Sequence, residues 1–112
     1  MISNYIDFKA GNYEYKLRLN VRSIINLEKQ LGCNPLAIFG TGEQIPPVTT
    51  MVQILHASLQ AFEHGITLDK SYSIFDSWLE DGHDITDFLM VIIDIYKVSG
   101  IMKNDGDKEE KN

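Results

Sequence analysis

The residue types most able to do chemistry are few in this chain. His56 and His64 stand eight apart, about two helical turns, and neither has an acidic partner at metal-ligand spacing. Glu63-His64 lacks the second histidine of a zinc-protease helix. Glu80, Asp81, His83 and Asp84 crowd oxygen and imidazole donors into one short stretch. They lack the alternating acids and final glutamate of a calcium loop, and Asp84 or Thr86 can instead cap the helix that follows. Cys33, the single cysteine, has no neighbouring base to lower its pKa and reads as a small packed thiol. One cysteine also excludes an internal disulfide and a cysteine-rich zinc site. Gly40-Thr41-Gly42 is followed by Glu43 where a phosphate cradle needs lysine, and no G-x-S-x-G occurs. No acid–base pair emerges from spacing, so the expectation is a protein that is not an enzyme and holds no cofactor or metal.

The elements that carry these residues are legible from periodicity. Ile6 and Phe8 alternate with Asp7 and Lys9, and Tyr13, Tyr15, Leu17 and Leu19 alternate with Glu14, Lys16 and Arg18. With Ala10-Gly11-Asn12 between them, these segments predict a β-hairpin. A lone hairpin is marginal in water, so its apolar face must lie on helices. Asn20 and Gly32 bracket a helix whose apolar side is Val21, Ile24, Ile25, Leu27 and Leu31. Asn34-Pro35 opens a short turn, and Gly40 to Pro47 reads as a loop. A helix follows from Val48 to His64, with Val48, Met51, Val52, Leu55, Leu59 and Phe62 on one side and Gly65 beyond it. Thr67 caps another, Leu68 to Glu80, expected to bury Tyr72, Phe75, Trp78 and Leu79. The last helix runs from about Thr86 to Ser99. Its Phe88, Leu89, Met90, Val91, Ile92, Ile93, Ile95, Tyr96 and Val98 make an apolar band broken only by Asp87, Asp94 and Lys97. Such a helix is either central to a core or shared with a partner.

The fold class predicted is mainly α, an N-terminal β-hairpin packed on a small bundle of four to five helices. Residues 1–100 form one domain and 101–112 a mobile charged tail, since only Ile101 and Met102 there are apolar. With 10 basic and 16 acidic residues the 112-residue chain carries a net −6, which repels nucleic acid and anionic membrane surfaces. No basic-then-apolar leader opens it, and no apolar run approaches the ~20 residues of a membrane span.

The segment from Tyr15 to Leu36, a strand followed by Leu27-Glu28-Lys29-Gln30-Leu31-Gly32 and then Asn34-Pro35-Leu36, resembles the tail assembly chaperones of long-tailed phages of Gram-positive bacteria. The resemblance extends over roughly residues 5 to 100. It implies a non-enzymatic factor of the host cell cytoplasm, absent from the mature virion. Such a factor binds the long helical tape measure protein and helps recruit tail tube protein around it. Family members commonly have a longer form made by ribosomal frameshifting, and Glu110-Lys111-Asn112 can be encoded with a slippery A-AAA-AAC. No catalytic residues carry over.

A small acidic protein can cover a rod's apolar stripes with its own apolar helix faces while its charge keeps the pair in solution. Met51, Phe62, Phe88, Met90, Ile92, Ile95 and Tyr96 are therefore the candidates for a partner-binding or self-association surface, in a protein expected to be a homo-oligomer. The alternative is a structural head–tail connector or tail component that stays in the particle.

Overall fold

The computed structural model describes residues 4–39 and 45–103. Strands β1 (Ile6–Ala10) and β2 (Tyr13–Leu17) pair antiparallel, with Phe8 opposite Tyr15 and Ile6 opposite Leu17. Gly11 makes the turn at φ 64°, a left-handed conformation that side chains with a Cβ rarely adopt. Four α-helices follow: α1 (Val21–Leu31), α2 (Val48–Leu59), α3 (Leu68–Glu80) and α4 (Asp87–Val98), with a 3₁₀ turn at Pro35–Phe39. This is the hairpin-on-helices architecture that the periodicity predicts.

Local chemistry sets most boundaries. The Asn20 side chain accepts the Ser23 N–H at 2.8 Å to start α1, and Gly32 ends it at φ 74° with its N–H on the Glu28 carbonyl. Asn34 Oδ1 accepts the Leu36 N–H at 2.8 Å ahead of the 3₁₀ turn, and Thr67 Oγ1 accepts the Lys70 N–H at 3.1 Å to start α3. Each cap satisfies a backbone donor that has no partner within its helix.

The hairpin lays Phe8, Ala10 and Leu17 onto the helices. The Phe8 ring stacks on Trp78 at 5.5 Å between centroids, and Phe88 meets Phe8, Phe75 and Trp78 edge-on at 6.1, 5.0 and 5.5 Å. Burying a side chain of this size stabilises by ~1.5–3 kcal/mol, which is how a two-stranded ribbon persists here. The Asp81 carboxylate, just past α3, accepts the Gly11 N–H at 2.8 Å and fastens the tip of the hairpin. At the other end, Arg18 Nη1 donates to the carbonyls of Asn4 (2.9 Å) and Val98 (2.7 Å), and the Leu19 N–H donates to Ser99 Oγ at 2.8 Å.

Several expectations are corrected. The sequence leaves α4 either central or shared, and the helix covered on most sides is α2, which touches α1, α3, α4 and β2 and buries Met51, Val52, Ile54, Leu55, Ala57, Ser58 and Leu59. It also stops at Leu59, short of His64. The chain there turns back, with the Phe62 and Glu63 N–H groups both donating to the Leu59 carbonyl. On α1 the buried positions are Ser23 and Leu27, while Val21 is 72% and Ile25 46% exposed. On α3, Ser71 and Ile74 are buried in place of Tyr72, which faces outward. Tyr13 is exposed at the hairpin tip and Val48 at the start of α2. Beyond α4, the N–H groups of Ile101 and Met102 both point to the Tyr96 carbonyl and both side chains are half-buried, so the packed body reaches past residue 100. The remainder of the expected tail, with Glu110-Lys111-Asn112, and Gly40–Gly42 with Glu43 of the expected loop, lie outside the described residues.

Candidate functional surface

The seven residues singled out by sequence divide sharply. Met51, Phe88, Ile92, Ile95 and Tyr96 are fully enclosed by the domain itself, at 0% exposure. On α4 the enclosed positions Phe88, Ile92, Ile95 and Tyr96 fall at i, i+4, i+7 and i+8, which is one ordinary helix stripe turned to the core. The breadth of the apolar band is absorbed by half-buried Leu89, Val91 and Ile93 along its flanks. These five therefore form packing and not surface. Phe62 (41% exposed) and Met90 (60%) remain accessible, Phe62 lying edge-on to Tyr5 at 5.8 Å between ring centroids.

Tyr96 has a further structural duty. Its hydroxyl donates to the Pro35 carbonyl at 3.0 Å, and its ring meets Phe39 edge-on at 6.0 Å, so α4 holds the 3₁₀ turn. Burial, with Cys33 close by, pushes this phenol well above the ordinary tyrosine range. Cys33 is a free thiol and exposed, not packed as its sequence context implies. Tyr15 is also raised, first by burial and then by the Glu63 carboxylate and Tyr13.

The polar residues with the most chemical promise serve the fold. Asp84 Oδ1 accepts both the Asp87 N–H at 2.9 Å and the Thr86 hydroxyl at 2.7 Å, while Asp87 Oδ2 accepts the Asp84 N–H at 2.9 Å. This reciprocal pair caps the entry to α4. Those bonds, the Thr86 hydroxyl foremost, hold the Asp84 carboxyl below the usual carboxylate range. His83 stacks on Trp78 with 4.4 Å between centroids and 7° between planes, its Nδ1 4.0 Å from Asp87. Asp81 is bound to the hairpin turn. Among the described residues no three His, Cys, Asp or Glu side chains are placed to share a metal ion. His56 Nε2 lies 2.9 Å from the Ile66 carbonyl oxygen and 3.0 Å from the Gln60 side-chain nitrogen. A carbonyl only accepts, so Nε2 carries the proton, and the Gln60 amide fits when turned to present its oxygen.

Surface that periodicity assigned to the core is where the outward apolar area lies. Val21 and Ile25, one turn apart on α1, are exposed, as are Leu36, Leu68, Tyr13 and Tyr72. A lone apolar side chain on a surface is ordinary, whereas Val21 and Ile25 adjoin along one helix flank. Reading helix ends from Asn20 and Gly32 could not reveal this, because α1 is anchored mainly through Leu27 and Ser23.

Fold and surface together define a small mixed hairpin–helix domain with an acidic body and scattered outward apolar residues. The chain belongs to a family of unknown function (DUF6096), whose model matches residues 5–112. No curated protein matches it, and no solved structure does. Among the described residues no helix is long and apolar enough to cross a membrane.

Proposed function

We propose that this protein is a non-catalytic tail assembly chaperone of a long-tailed phage. It acts in the host cytoplasm, binds the tape measure protein, holds it in solution and helps recruit tail tube subunits, and is absent from the mature virion. Support comes from the resemblance of the segment from Tyr15 to Leu36 and from the pairing of outward apolar residues with a net charge of −6. The observation that carries the reading is the exposed strip of Val21 and Ile25 on α1, with Met90 exposed on α4. Apolar area of this kind gains free energy by covering the unpartnered stripe of a long helix, and the net negative charge keeps the complex in solution. The same strip serves a homo-oligomer before the rod is engaged.

Co-expression with the tape measure gene of the same genome tests the proposal. The soluble fraction of the tape measure protein rises with the chain present and falls when Val21 and Ile25 are both replaced by glutamate in a chain that stays folded. An unchanged soluble fraction without the chain defeats the reading. Mass spectrometry of purified virions separates it from a structural connector, which stays in the particle.

A further inference from the structure

Between α1 and α2 runs an open groove of about 470 Å³, lined by Arg22, Asn26, Lys29 and Gln30 from α1 and by His56, Gln60 and His64 from α2 and the turn after it. Buried Leu27 and Ala57 and, at the start of α1, Asn20 and Ser23 complete the lining. The charge of this lining opposes that of the molecule: it contains no carboxylate, in a chain with 16 acidic residues against 10 basic ones.

The two cations of the groove are not taken up by the fold as Arg18 and Lys16 are. Arg18 is spent on the carbonyls of Asn4 and Val98, and Lys16 lies over the Tyr5 ring at 5.0 Å. Arg22 and Lys29 have no acidic partner among the described residues, where the one histidine–carboxylate pair is His83 with Asp87. Both are exposed.

Spacing selects the kind of anion. Arg22 and Lys29 are seven residues apart on one helix, so about 10 Å separates them along the axis at ~1.5 Å per residue. A single phosphate needs donors gathered on one point, whereas an axial spacing of about 10 Å suits two separate anionic groups. Carboxylates repeating every seven residues on a helix laid alongside α1 meet both. Val21 and Ile25 occupy the adjoining outward flank of α1 at i and i+4, where the apolar stripe of the same incoming helix can rest.

We propose that the α1–α2 groove is a docking site for an acidic amphipathic helix of a protein partner, with Arg22 and Lys29 pairing its carboxylates and Val21 and Ile25 its apolar stripe. The inference deepens the chaperone reading and takes from it only that the partner is helical. Amides of Asn26, Gln30 and Gln60 add hydrogen bonds along the track, and the charge pairs set register and orientation more than raw affinity.

The test is an amide-resolved NMR titration of the full chain with a designed helical peptide carrying glutamate at seven-residue spacing beside a leucine stripe. Peak shifts are expected at residues 20–30 and 56–64, with affinity falling tenfold or more when the glutamates become glutamine. The same loss is expected in the R22E/K29E chain, with R22Q/K29Q as a milder variant that also leaves the fold intact. Lysine in place of the peptide's glutamates should restore binding to R22E/K29E. Shifts confined to another face, equal binding of the glutamine peptide, or the same shifts from inorganic phosphate alone each overturn the proposal. Co-expression with the tape measure protein keeps the two readings apart. If wild type and R22E/K29E hold it equally in solution and the designed peptide fails to bind, the groove falls and the chaperone stands. If neither does while the peptide still binds, the chaperone falls and the groove stands.

Discussion

The Tyr96 hydroxyl donates a hydrogen bond of 3.0 Å to the carbonyl of Pro35, 61 residues away and inside the core. It is the point at which the last helix holds the short 3₁₀ turn after α1. Removing the hydroxyl leaves a buried carbonyl without its donor, so Tyr96→Phe is expected to cost about 1–3 kcal/mol in denaturant unfolding. Tyr96→Ala adds an unfilled volume and should cost about 3–5 kcal/mol.

The same phenol predicts an alkaline limb. Burial raises its pKa in the folded state above that of the unfolded chain, so between the two the folded state binds more protons. Its contribution is fully present below about pH 10, the ordinary tyrosine value, and is lost as pH rises above that. Urea midpoints measured from pH 8 to 11 should fall at the top of the range. The fall should be shallower in Tyr96→Phe, with Tyr15, raised in the same sense, supplying a remainder.

Asp84 predicts the opposite limb. Its carboxyl is depressed by the Thr86 hydroxyl and the Asp87 N–H, so its contribution is present above the ordinary aspartate value of about 3.9 and is lost as pH falls through the lower folded one. Asp84→Asn keeps an acceptor for the α4 cap and should flatten stability below pH 4. Asp84→Ala removes the cap and should lower the thermal midpoint at neutral pH. Thermal unfolding of the three chains at pH 3 and pH 7 checks both.

The sequence makes legible what is decided locally. Asn20, Gly32 and Thr67 announced helix ends correctly because a cap is decided by the residue and its next few neighbours. The end of α2 is not legible, because Phe62 continues its apolar spacing while the chain folds back so that His56 reaches the Ile66 carbonyl. That α2 is the most covered helix is hidden for a related reason. Ala57 and Ser58 look unremarkable in a count of large apolar residues, yet their small size lets neighbours close over α2, and the Ser58 hydroxyl is satisfied by the Leu55 carbonyl at 2.9 Å. Periodicity says which residues are apolar and not which of them a distant element covers. Five of the seven surface candidates therefore lie in the core, and the Arg22–Lys29 groove is made by two helices that sequence does not place side by side.

The hairpin fastening is separable from the core. Asp81 accepts the Gly11 N–H across a separation of 70 residues, on the surface, whereas Phe8 and Leu17 beneath are buried. Asp81→Ala should therefore leave the domain folded while the Gly11 amide loses protection in hydrogen exchange and the amides of α2 keep theirs. Loss of protection throughout the molecule would show that the contact supports the whole fold.

Met90 and Ile92, two residues apart on α4, separate surface from core on one helix. Met90 is 60% exposed and Ile92 fully enclosed. Met90→Glu puts a charge into water and should change unfolding free energy by no more than about 0.5 kcal/mol. Ile92→Ala leaves a cavity beside Phe88 and Ile95 on the same stripe and should cost about 2–5 kcal/mol. If the outward face of α4 helps to cover the tape measure helix, Met90→Glu lowers the soluble fraction of that protein on co-expression although the chain is as stable as wild type. Ile92→Ala can lower it only as far as the chain itself unfolds, so its effect should vanish at a temperature where the variant remains native. A loss of solubility that tracks stability across both variants would assign Met90 no part in binding and leave α1 as the contact surface.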